Sequence, residues 1–419
     1  MNFRKKIQFE LINDKKLIIL IIFFLIKYYY NKINEYNKLD ININYSKIQL
    51  DLNLSLFKNL NNKINLGIYS FGMKNGGRAR LTSILINYLN KLKIFNIYLF
   101  TKLEKQDKEY LIPGSIKRMI INNNLNYLNK IISKTKIEIL IYNLNNEKEI
   151  NFLNNKIFPK IIYYQHTSFL FMWYSNYTSF LSLYKEYQNS KYIISVIPIE
   201  NNYIFKYWGI NSYLMNSFVS YEYNSVIPSN LMSKTILMIG RGNDKYKRFI
   251  LGVHAMEYII AHNSIYEMKI ISNLNYDLQN TIYNLNLENN VESIGFTLIP
   301  EMHFENASLH IFPSISESFG LVLSETKIYG IPNILVGLDY VQISKGGTII
   351  IYDDCPEFIA KAAIKVMDDQ NYRKFLGKEA RNSMKKYNNQ ILFNKWIYLI
   401  LSIYNGEIFY NNLKCSRQL

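Results

Sequence analysis

From Ile64 onward the chain repeats one pattern: a short apolar run, a polar turn, then a stretch with the apolar spacing of an amphipathic helix. The first set of runs is Ile64–Tyr69, Asn96–Phe100, Ile137–Ile141, Ile161–Tyr164 and Tyr192–Ile197, with helical spacing over Leu81–Leu92 and Tyr203–Trp208. Such alternation is the rhythm of βαβ units in a parallel sheet. The turn-rich stretch Tyr223–Ser233 interrupts it. A second set follows at Lys234–Ile239, Met268–Ile271, Val291–Ile294, Leu309–Phe312, Asn333–Val336 and Thr348–Ile351. Helical spacing then covers Glu357–Met367, Tyr372–Lys386 and the apolar Ile391–Ile403, which holds Trp396. The pattern predicts an α/β protein with two Rossmann-like, doubly wound domains facing a cleft. No unit of roughly 20 to 50 residues recurs, which excludes a solenoid.

Length agrees with this reading, because 419 residues exceed what a single core supports, about 250–300 residues. The expected layout is an anchor and stem at 1–60, a first domain at 61–222, a second at 223–390, and a closing helix and tail at 391–419. The anchor is Leu17–Ile26, ten uninterrupted apolar residues between Lys16 and Lys27, followed by Tyr28–Tyr30. A spanning helix needs about 20 apolar residues, so the run is short, although snorkelling lysine and interfacial tyrosines extend its reach. We expect membrane association through a single signal anchor or a helix resting on the surface. No small-residue cleavage site follows it, which argues against a removed signal peptide. The excess of basic residues before the run favours a cytoplasmic N-terminus. A cytoplasmic protein with a buried N-terminal helix is the alternative.

The formal net charge of +17 favours anionic partners. Lysine is spread along the chain, and the 36 tyrosines come with no RNA-binding signature, so nucleic acid is excluded as a partner. The 49% hydrophobic content excludes wholesale disorder. Cys355 and Cys415 offer neither a disulfide framework nor zinc-ligand spacing.

Candidate chemistry gathers where apolar runs end. After Leu309–Phe312 comes a short loop from Pro313 to Glu317, then helical spacing from Phe319 to Gly330. Glu317 and Glu325 are eight residues apart, one in the loop and one about two turns into the helix. Amides at a helix start face outward at the positive end of its dipole, so those of Gly320 and Leu321 suit a diphosphate. Glu325 would accept from both ribose hydroxyls, as acidic residues do in other nucleotide-binding sheets. Arg241 and Lys247 flank a loop that leaves the run ending at Ile239; a bidentate Arg and a mobile Lys fit a leaving diphosphate. Gly76-Gly77 precedes the helical stretch after the first run, and His166 follows Ile161–Tyr164. Gly295-Phe296-Thr297 is the expected base or ribose wall. Arg78 and Arg80 are read as surface charge, with an acceptor phosphate as the alternative. His254, His262, His303 and His310 have no comparable placement and are read as structural, and Asp353-Asp354 and Asp368-Asp369 are not read as metal ligands.

Four of these segments, in order, resemble the elements of the retaining glycosyltransferases of family four (glycosyl transferases group 1), which have the GT-B fold. They are Lys74-Asn75-Gly76-Gly77-Arg78, Tyr164-Gln165-His166, Met238-Ile239-Gly240-Arg241 with Lys247, and the E-x7-E element Glu317–Glu325. The resemblance runs from about Lys63 to Tyr404 and departs at two points: Arg248 stands where many relatives have glycine, and Met268–Asn273 lacks their Gly-x-Gly. It implies a nucleoside diphosphate sugar as donor and a hydroxyl acceptor, with the acceptor on the first domain, the donor on the second and the last helix crossing back to the first. It also implies that His166 contacts the transferred sugar and Glu317 lies beside it. Ser318, Phe319, Gly320, Leu321, Gly76, Gly77, Arg241 and Lys247 would hold the donor. The family uses front-side attack, needing no protein base, no metal and no cofactor. The rival readings are an inverting transferase, with His166 as base, a nucleotide-sugar epimerase, and an inactive GT-B scaffold.

Overall fold

The computed structural model describes residues 62–406, apart from 75, 123, 144–158, 170, 173–176, 189, 242–244, 274 and 339–340. The proposed anchor Leu17–Ile26, Asn75, Trp173, the centre of the Arg241–Lys247 loop and Cys415 therefore lie outside the described residues. Among those described, no helix is long and apolar enough to cross a membrane.

The first half is a seven-stranded parallel sheet ordered β3-β2-β1-β4-β5-β6-β7. Its strands are β1 Ile64–Ser70, β2 Phe95–Thr101, β3 Lys117–Ile120, β4 Ile139–Asn143, β5 Lys160–Gln165, β6 Tyr192–Ser195 and β7 Tyr213–Leu214. The helices are α1 Gly77–Lys91, α2 Leu125–Thr135, α3 Tyr177–Gln188 and α4 Pro198–Trp208. β1 and β4 are buried nearly end to end, as strands covered by helices on both faces must be. Trp208, at the end of α4, packs with Phe169, Phe180, Tyr187 and Tyr203. β3 and β7 are not predicted by the sequence pattern. β3 is an edge strand of sequence Lys-Arg-Met-Ile with no fully buried residue, and β7 has two residues.

The second half is a six-stranded parallel sheet ordered β10-β9-β8-β11-β12-β13. Its strands are β8 Thr235–Ile239, β9 Glu267–Ile271, β10 Val291–Ser293, β11 Leu309–Phe312, β12 Asn333–Val336 and β13 Thr348–Ile351. Helices α5 Phe249–His262, α6 Tyr276–Asn284, α7 Leu321–Ile328, α8 Pro356–Asp368 and α9 Gln370–Ser383 cover it. One cluster under α5 and α8 joins Val253, Met256, Ile311 and Ala363; a second on the other face joins Leu237, Phe312, Leu323 and Leu335.

The last helix, α10 Asn389–Asn405, returns to the first sheet, as expected. Its fully buried Trp396 meets Tyr164 of β5 edge-on at 5.0 Å. Lys160 donates to the carbonyls of Ile403 and Tyr404 at 2.7 and 2.8 Å, placing a cation on acceptors that a helix C-terminus leaves open.

Both sheets reverse strand order once, at β1/β4 and at β8/β11. Open parallel sheets bind ligands at the C-terminal ends of the strands flanking such a point. The Gly76-Gly77 loop follows β1, the Arg241–Lys247 loop follows β8, and the Glu317 loop follows β11.

Candidate functional site

The loop after β11 turns into α7 through Gly320, at φ 79°. That left-handed conformation favours glycine. Gly76 plays the same part at α1, with φ 87°. As cap residues both glycines lack a side-chain acceptor for the first amides, which helices otherwise need. The two helix starts also touch: a methyl group added at Gly77 would stand 2.7 Å from Leu321 Cδ1. Two positive helix ends therefore converge from opposite domains.

Lys247 makes an ion pair with Glu317. The side chains are 17% and 13% exposed, so the pair is open to a ligand without being fully solvated. The loops bearing them are joined through the backbone, Ile315 N donating to Tyr246 O at 2.9 Å. Lys247 also lies 5.4 Å from the centroid of the Phe312 ring. Arg241 is exposed at the end of β8. Arg248 adopts φ 50°, the region where glycine is usual, and its guanidinium donates to Pro313 O at 2.6 Å and to Asp354 at 2.5 Å. The departure from glycine thus keeps the required backbone and adds a clamp on the Glu317 loop.

Glu325 sits in the second turn of α7, because the helix begins at Leu321 instead of the expected Phe319. Its side chain is 2% exposed and pairs with Arg80 Nη1 at 2.7 Å, while Ser220 Oγ donates to it at 2.5 Å. Arg80 therefore is not the surface charge that the sequence suggests. It is a cross-domain partner, bonded also to the Tyr221 hydroxyl at 3.0 Å. No local signal marks it, since its partner lies 245 residues further along the chain.

His166 follows β5 and shares a hydrogen bond of 3.0 Å with Asn143 Oδ1. The network sets its tautomer. Thr82 Oγ1 donates to Arg78 O at 2.9 Å, and Asn143 Nδ2 donates to Thr82 at 3.1 Å. Asn143 Oδ1 is left as an acceptor, so His166 carries its proton on Nε2. Burial, with the Arg78 charge adding to it, holds the imidazole well below its ordinary pKa. Next to it, Ser168 and Ser316 share a 2.6 Å hydrogen bond across the cleft, and Phe171 meets Tyr246 edge-on at 4.6 Å. The sequence singles out neither serine nor Asn143.

Two expected donor contacts are differently placed. The Phe319 ring is buried against Tyr387 at 5.5 Å, leaving only its backbone for a ligand. Phe296 is half-buried beyond the edge strand β10, where no ring contact among the described residues ties it to the cluster. Ser318 is half-buried beside Glu317. Among the described residues no group of three or more His, Cys, Asp or Glu gathers to hold a metal.

Residues 222–383 match the family model described as Glycosyl transferases group 1. No curated protein sequence matches the chain. Among solved structures it is similar to sucrose-phosphate synthase from Thermosynechococcus elongatus, with TM-score 0.70 and 14% identity over 82% of this chain and 100% of that one. Anabaena HepE, solved with UDP and glucose, gives TM-score 0.65 and 13% identity over 81% and 99%. S. aureus TarM, in a complex with UDP and alpha-GlcNAc-glycerol, gives 0.62 and 12% over 81% and 99%. At these identities the likeness establishes the fold, and it is GT-B. The second domain thus carries the match to the glycosyl transferases group 1, and the chain as a whole has the GT-B fold.

Proposed function

We propose that the chain is a retaining glycosyltransferase that moves a sugar from a nucleoside diphosphate donor to a hydroxyl of a glycan, lipid or glycoconjugate. The observation that carries the reading is the convergence of two helix N-termini, the Lys247–Glu317 pair and Glu325 on one cleft. Charge grows on the diphosphate as the sugar leaves, and preorganised amides and cations stabilise it there. Lys247, Arg241 and the α7 amides take that part, with Gly76 and Gly77 supplying the opposite wall. Glu317 stands beside the transferred sugar, Glu325 accepts from the ribose, and no metal is given a role.

His166 favours retention over the inverting alternative. An inverting base needs a pKa near the working pH. His166 is held low, and a proton on Nδ1 would create a buried cation near Arg78 with only an amide oxygen on its other nitrogen. As a neutral ring with Nδ1 an acceptor, it suits a sugar hydroxyl. HepE and TarM were both solved with UDP, so UDP-sugars are the first donors to offer. The test is incubation with a panel of UDP- and GDP-sugars, with the product anomer assigned by NMR. An inverted anomer overturns retention, and transfer from none of the donors overturns the activity.

A further inference from the structure

The Arg80–Glu325 pair is the point where the first domain enters the proposed donor site. Arg80 is on α1 and Glu325 on α7, and at 16% and 2% exposure both are shielded from water. Arg80 Nη1 and Ser220 Oγ meet the same carboxylate oxygen, Oε1. Among the described residues nothing bonds to Oε2. The guanidinium is itself cradled: the Tyr221 hydroxyl is 3.0 Å away, and the rings of Tyr221 and Tyr110 lie 5.3 and 5.9 Å from it. Tyr221 in turn donates to Glu301 at 2.6 Å.

A carboxylate this buried is costly unless a cation compensates it. Around Glu325 stand Arg80 from α1, Tyr110 from the loop after β2, Ser220 and Tyr221 from the segment joining the domains, Glu301 from the turn before β11, and Tyr329 from the end of α7, which Glu305 faces in turn. Arg80 is the cation among them. Burial drives the Glu325 carboxyl towards its neutral form; Arg80, then Ser220, oppose that, and Glu301 adds to it.

We propose that Arg80 is a positioning residue of the donor site: it pins Glu325 through Oε1 as a carboxylate and leaves Oε2 to accept from the donor ribose. This rests on the reading of Glu325 as the ribose acceptor. Donor affinity then depends on a residue of the acceptor-side domain, present only when the cleft is closed at this point. A protonated Glu325 has lost charge and an acceptor site, so without Arg80 the ribose must compete with a proton.

The test is titration of UDP and GDP, between pH 6 and 9, into wild-type protein and the variants R80M, R80K and E325Q. For whichever nucleotide the wild type binds, its affinity should be nearly flat above pH 7. R80M should bind about tenfold or more weakly at pH 7 and recover as pH rises, by at most about tenfold per pH unit because one proton is displaced. R80K should restore most of the flat profile. Y221F, which loosens the guanidinium without removing it, should show a smaller shift of the same sign, and it carries the test if R80M does not fold. Equal weakening at every pH, or unchanged or tighter binding in R80M, overturns the inference. If E325Q keeps wild-type affinity, or the wild type binds neither nucleotide, the ribose reading fails instead.

Discussion

The two walls of the cleft are built from opposite materials. On the second domain the wall is charged: Lys247 on Glu317, Arg248 on Asp354, and Glu325 held in the interior. Even the support beneath it is ionic, since Lys327 is fully buried and donates to the carbonyls of Ile343, Lys345 and Gly346 at 2.6, 2.7 and 2.8 Å. On the first domain the wall is neutral apart from Arg78, whose charge reaches His166. His166, Asn143 and Thr82 form an uncharged relay, and Glu200, whose burial raises it to about 8, accepts from Phe169 N at 2.6 Å. A leaving diphosphate needs charge set against it, whereas sugar and acceptor hydroxyls need orientation with little net field. Arg80 is the charge that crosses from one wall to the other.

The sharpest way to break the contrast is on the charged wall. Lys247→Ala should lower turnover at saturating donor by roughly 100- to 1,000-fold, as loss of a preorganised transition-state contact does. Arg241→Ala, at an exposed position, should lose less. Sugar preference should change little in either, because both act on the diphosphate. Steady-state kinetics with one donor decide it, and wild-type turnover in a variant removes that residue from the phosphate site.

Lys327→Met separates the support from the chemistry. It takes the donor from the buried carbonyl of Ile343 and the partly buried ones of Lys345 and Gly346, the last of which still accepts from Thr348 Oγ1 at 3.2 Å, and each buried unsatisfied group costs about 1–3 kcal/mol. We expect a loss of roughly 3 kcal/mol in urea denaturation, with nucleotide affinity nearly unchanged in the protein that remains folded. Burial, with the charge of Lys386, lowers Lys327 to about 7. Because the folded value lies below the unfolded one, the contribution of this titration to stability is complete above the ordinary lysine range and is lost as pH falls from there through about 7. The wild type should therefore lose stability relative to the Met variant as pH falls through that window. Destabilisation below about 1 kcal/mol in the variant would show that the carbonyls find other partners.

The same contrast explains what the sequence could say. Glu317, Glu325, Lys247 and the two glycine turns are legible because each sits at a fixed offset from an apolar strand, and strand ends at a switch point are where parallel sheets gather ligands. The second sheet is legible throughout, and the first except at its edges, β3 and β7. β3 has a Lys-Arg start and no fully buried residue, so it carries no apolar run. The neutral wall is the opaque one. Asn143 and Thr82 meet His166 through tertiary packing, and asparagine is too common in this chain for any one to stand out. Arg80 reads as surface charge for the same reason: its partner lies in the other domain.

The mildest test sharpens the neutral wall. Glu200 is 7% exposed at the start of α4, and its Oε1 holds the backbone of Phe169, next to Ser168 and its bridge to Ser316. Because burial raises its folded pKa to about 8, the native protein keeps a proton that the unfolded chain releases above about pH 4. This contribution to stability is therefore complete below the unfolded value, shrinks as pH rises, and is gone once pH passes about 8. Glu200→Gln keeps an acceptor for Phe169 N and removes the titration. Between pH 6 and pH 9 the variant should gain on the wild type by roughly 3 kcal/mol, since each tenfold fall in proton concentration is worth about 1.4 kcal/mol while the native protein alone holds the proton, up to about pH 8. Chemical denaturation at the two pH values measures this. Parallel pH profiles for the two proteins would mean that Glu200 is ionised in the fold and that the first wall is charged after all.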